Sequence, residues 1–65
     1  MTNVEIFNAD DVLMMRADLP FVPRVGEYMS IEDHGIFTYF NVTEVWIRKS
    51  AEEPFKACIR VVLDD

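Results

Sequence analysis

The chain is poor in the residues that most small domains use as staples or reagents. It has one cysteine, Cys58, so no disulfide can close within it, and one histidine, His34. Without a Cys/His cluster there is no set of four converging ligands for a structural zinc. Its two glycines, Gly26 and Gly35, lie too far apart to build a phosphate-cradling loop. No apolar run approaches the roughly 20 residues that a membrane-spanning helix needs. The first residues include Glu5 and no basic stretch, which is unlike a secretory signal. A lone thiol without an export signal leads us to expect a cytoplasmic protein. Basic residues are also scarce: six Lys and Arg stand against twelve Asp and Glu, for a net charge of −6. That balance disfavours nonspecific contact with nucleic acid or an anionic membrane.

Apolar and aromatic residues are abundant. Hydrophobic residues make up 51% of the chain, with five Phe, two Tyr and one Trp. This is enough for a packed core and argues against disorder. Sixty-five residues make one domain, 1–65. A chain of this length buries only about 60% of its unfolded surface, so its core is marginal and homo-oligomerisation is one way to enlarge it.

The stretch Leu19-Pro20-Phe21-Val22-Pro23 organises the reading. Each proline fixes its own φ and pushes the residue before it into extended geometry. The segment is therefore an extended connector, and its apolar side chains predict that it crosses a core. Upstream, Val4 and Ile6 alternate with Glu5, which predicts a strand over 3–7. Asn8-Ala9-Asp10-Asp11 is turn chemistry. Leu13, Met15, Ala17 and Leu19 then share one face at period two, predicting a strand over 12–18. A short helix over 9–17 capped by Asn8 is the competing reading there. Downstream, Val25, Glu27, Met29 and Ile31 share a face of a strand over 25–31, and Glu32-Asp33-His34-Gly35 is a turn.

A long β-rich run follows over 36–48. Phe40 and Val42 have one parity and Val45 and Ile47 the other, which predicts a bulge near Thr43-Glu44. After a polar loop, residues 55–63 alternate most clearly. Phe55, Ala57, Ile59, Val61 and Leu63 are expected inward, and Lys56, Cys58, Arg60 and Val62 outward. Five short strands with tight connections and no helix-length segment predict an all-β, five-stranded SH3-like barrel, closed or nearly so.

The pattern Pro23-x-Val25-Gly26-Glu27-x-Met29, then Tyr39-Phe40-x-Val42-x-x-Val45-Trp46, then Ile59-x-Val61-x-Leu63 resembles short bacterial and phage proteins of unassigned role. The likeness covers roughly residues 19–63 and consists of fold residues. It implies a small β-barrel and transfers no catalytic or binding residue.

No catalytic constellation emerges. Cys58 is expected mid-strand and His34 at a loop tip, so they do not form a nucleophile–base pair. Glu32, Asp33 and His34 are adjacent in a turn and diverge, which makes a poor metal site. The acidic pairs Asp10-Asp11, Glu32-Asp33, Glu52-Glu53 and Asp64-Asp65 sit in loops or at the terminus, where their ordinary meaning is solubility. We therefore expect no enzyme, cofactor or metal.

One surface suggests recognition. Trp46 and Arg48 share a parity, Lys56 and Arg60 face outward on the last strand, and Tyr39 is placed alongside. Aromatic and cationic residues together form protein-interface contacts. The expectation is an interaction module that binds a protein partner or itself through Trp46, Tyr39, Arg48, Lys56 and Arg60. The same set could hold single-stranded nucleic acid by stacking and phosphate contact. The plain structural reading is that these charges pair with Glu44, Glu52 and Glu53 across strands. The charge asymmetry supports a third reading. Residues 1–45 hold eight carboxylates against Arg16 and Arg24, as an inhibitor imitating the charge of DNA requires.

Overall fold

The computed structural model describes residues 1–64. Five strands form one curled sheet: β1 (Thr2–Phe7), β2 (Leu13–Leu19), β3 (Tyr28–Asp33), β4 (Ile36–Arg48) and β5 (Lys56–Leu63). Their order across the sheet is β2-β1-β5-β4-β3, and β1 and β5 run parallel while the other neighbouring pairs are antiparallel. The all-β class and the strand count match the sequence reading. Residues 9–12 form a turn and Leu13–Leu19 a strand, so the helical alternative over 9–17 falls.

Local chemistry explains the connections. In the β1–β2 turn the Asn8 side chain accepts backbone N–H bonds from Asp10 (2.9 Å) and Val12 (3.0 Å), while Asp11 takes φ 67°. The β3–β4 turn is tighter than expected. Strand geometry continues through Asp33, and only His34 (φ 53°) and Gly35 (φ 81°) form the bend. Positive φ at both central residues is the two-residue turn whose twist matches a hairpin. At the other end of β3, the strand starts three residues later than the expected Val25, because Gly26 bends the chain at φ 96°.

The expected bulge is present. Val42 pairs with Val61 and Glu44 with Arg60, so Thr43 is the extra residue. Its hydroxyl donates to the Arg60 carbonyl at 3.2 Å. The bulge keeps Phe40 and Val42, then Val45 and Ile47, on the concave side of one bent strand.

Val4, Ile6, Val42, Ile59 and Val61 form the buried core on that side, with Ala17, Leu19, Val22, Met29, Phe40 and Ala57 packed against it. Val22 thus joins the core and Pro23 is buried, as the crossing connector predicts, while Phe21 stays exposed.

Three expectations need correction. The sheet is a half-barrel: β2 and β3 are its edges and do not pair, so the cylinder is open along that seam. Phe55 and Leu63, expected inward, are 72% and 58% exposed, because the curl does not reach the ends of β5. Cys58, expected outward, is fully buried because the outward face of the central strands carries its own covered layer. Among the described residues no helix is long and apolar enough to cross a membrane.

Candidate functional site

Two surfaces flank the sheet. On the convex side, register places Glu5 of β1 beside Arg16 of β2 and Cys58 of β5, and Cys58 beside Trp46 of β4. Glu5 is 1% exposed, although sequence alternation assigns it to a solvent face. Arg16 Nε donates to its Oε2 at 2.9 Å and an Arg48 guanidinium nitrogen to its Oε1 at 2.6 Å. The Cys58 thiol donates to the same Oε1 at 3.7 Å. Burial pushes the Glu5 carboxyl up, but the Arg16 hydrogen bond and the two guanidinium charges outweigh it and hold it below its ordinary value. Burial, then the Glu5 charge, push the Cys58 thiol up, so it is a poor nucleophile.

Beside this cluster, Trp46 packs against Phe7 at 5.4 Å between ring centroids, and the Arg60 guanidinium lies 5.0 Å from the Trp46 ring. Arg60 also bonds Glu44 and Asp11, which raises its pKa further. Lys56 Nζ donates to Asn3 at 3.0 Å.

Trp46, Arg48, Lys56 and Arg60 therefore come together on one face, as expected. Tyr39 has the opposite parity and lies on the other side of the bulge, which turns it to the same convex face, where it pairs with Tyr28 at 6.4 Å. The cations are already engaged: Arg48 by Glu5 and Glu53, Arg60 by Glu44 and Asp11, Lys56 by Asn3. Cross-strand pairing thus uses much of the charge that a ligand would need. It also neutralises Asp11 and Glu44 in place.

The second surface was not visible in the sequence. Between the unpaired edges of β2 and β3 lies an apolar groove of about 420 Å³. Ile6, Met15, Ala17 and Leu19 line one side, Met29 and Ile31 the other, and Pro20, Phe21 and Pro23 its end. Glu27 is the one carboxylate among its lining residues, and it accepts the Arg24 backbone N–H at 2.6 Å. The groove follows from the open seam, and only strand order could have revealed it.

At the hairpin tip, His34 and Asp33 approach to 3.4 Å, both highly exposed. No protein-family model, curated protein or solved structure matches the chain.

Proposed function

We propose that this chain is a non-catalytic interaction module that binds a protein partner or itself. The observation that carries this reading is the apolar groove between two unpaired strand edges. Strand edges offer backbone donors and acceptors to an incoming extended segment, and an apolar floor adds affinity. Overall surface supports it: 4735 Å² is accessible, against about 4,300 Å² for a compact monomer of this mass. Within the expected contact set, Trp46 and Tyr39 offer aromatic surface, while Arg48, Lys56 and Arg60 contribute less because they are bonded internally. The strand count and the bulged long strand support an SH3-like small barrel with an open seam, akin to the short bacterial and phage proteins it resembles.

The test is capture by the immobilised chain, compared among wild type, Phe21→Ser at the groove and Trp46→Ala on the convex face. Saturable capture of a protein, weakened by Phe21→Ser, supports the groove; weakening by Trp46→Ala alone moves the contact to the convex face. Absence of both capture and self-association overturns the reading. So does salt-dependent binding to a labelled oligonucleotide with no protein bound.

A further inference from the structure

The free edge of β3 is complementary to itself. The Val42 N–H donates to the Glu27 carbonyl at 2.9 Å, which fixes the alternation of the β3–β4 ladder. The Glu27 carbonyl and the backbone groups of Met29, Ile31 and Asp33 turn toward β4. Tyr28, Ser30 and Glu32 therefore aim theirs away from it, at the open edge. No other backbone bond among the described residues reaches them. From these positions we infer that the chain forms a two-fold dimer by antiparallel pairing of β3 with β3 of a second copy, with Ser30 opposite Ser30. This rests on the interaction-module reading and names the partner.

The register follows from counting bonds. With Ser30 at the axis, Tyr28 faces Glu32 of the second copy and Glu32 faces its Tyr28. Every outward N–H and C=O of the three residues then finds a partner. Sliding by two residues in either direction leaves one of the three residues unpaired in each copy. Sliding by one sets concave-face residues against convex-face ones. Side chains agree with the central register. Glu32 meets a tyrosine, not another carboxylate, and on the concave face Met29 meets Ile31. The flanking pair sets Asp33 near Glu27 of the second copy. Arg24, 4.0 Å from Glu27 and 87% exposed, supplies the cation there.

The edge also needs a neighbour. β4 pairs with β5 only from Phe40 onward, so residues 36–39 have β3 alone beside them, apart from the Asp64 N–H on the Tyr39 carbonyl. A two-stranded ribbon is marginal by itself. Here it exposes Tyr28 (67%), Ile36 (69%) and Phe37 (56%). Pairing joins two such ribbons into four strands. An isologous contact of this kind closes on itself and does not propagate into fibres.

Sedimentation across a wide concentration range tests the dimer. The wild type passes from monomer to dimer as concentration rises. Ser30→Pro removes the N–H at the axis; proline is tolerated on an edge whose N–H faces solvent, so circular dichroism stays unchanged. Losing that bond from each copy weakens the dimer about thirtyfold. Ser30→Cys gives a covalent dimer under mild oxidation, because its thiols meet at the axis and the buried Cys58 does not compete. Met14→Cys on the β2 edge gives none. A wild type that stays monomeric at every concentration overturns the proposal, and the capture experiment then decides the broader reading alone. A dimer that survives Ser30→Pro without Ser30→Cys cross-linking also overturns it. If that dimer is lost on Phe21→Ser or Trp46→Ala, the interaction-module reading stands on another surface.

Discussion

Replacing Glu5 by glutamine keeps the volume and removes the charge. In the native chain both carboxylate oxygens accept from guanidinium groups, at 2.9 Å and 2.6 Å, inside a site that is 1% exposed. Glutamine offers one acceptor oxygen, and its NH2 is set against the other guanidinium as donor facing donor. A hydrogen bond to a charged group is worth about 1.5–3 kcal/mol, so losing one and weakening the other costs about 2–3 kcal/mol. The arginines soften the loss, because their side chains are 59% and 43% exposed and turn to water when released. For 65 residues the total stability is on the order of 6 kcal/mol, so the variant gives up about half of it. Urea unfolding followed by Trp46 fluorescence measures this as a lower midpoint at unchanged slope.

The pH dependence separates charge from packing. The folded state holds the Glu5 carboxyl below its ordinary value of 4.5, so the unfolded chain takes up that proton first. The stabilisation is complete above that value and is lost as pH falls through the lower, folded one. Glu5→Gln removes this part of the acid limb, and its stability falls less steeply below about pH 4.5 than that of the wild type. An unfolding midpoint for Glu5→Gln within error of wild type, with the same acid limb, refutes the reasoning.

Two further outcomes test the backbone. Gly35→Val forces a β-branched side chain into φ 81° and costs about 1–2 kcal/mol by thermal unfolding; a smaller loss means that the turn has another geometry. Deleting Thr43 sets Val42 directly before Glu44 and leaves a regular strand with Val45 and Ile47 still concave and Trp46 and Arg48 still convex. The variant loses the bend but keeps a cooperative circular dichroism melt, and a chain that no longer melts cooperatively contradicts this.

Period-two patterning and turn chemistry made the strands legible. Val4 and Ile6, the parity change at Thr43 and the alternation of Ala57, Ile59 and Val61 are local signals, and each strand boundary falls within a few residues of its expected place. The faces were harder to read. Glu5 alternates with two core residues and looks solvated, yet strand order brings Arg16 from one neighbour and Arg48 from β4 over it. Arg16 lies eleven residues away in sequence and Arg48 forty-three, so nothing local announces the pairing. The same lack of long-range information hid the burial of Cys58 beneath that layer.

Closure is where local reasoning reached its limit, and the reason is physical. Alternation tells a strand which side is apolar, but not how many neighbours it has. β3 and β2 carry the same inward pattern that a closed barrel needs, with Met29 and Ile31 on one and Met15, Ala17 and Leu19 on the other. A parallel β1–β5 pair at the centre places those two strands at opposite edges. Their apolar faces then line an open groove, and their outer backbone groups have no partner within the sheet. The features that suggest barrel closure in the sequence are thus the features that line the open seam of the folded chain.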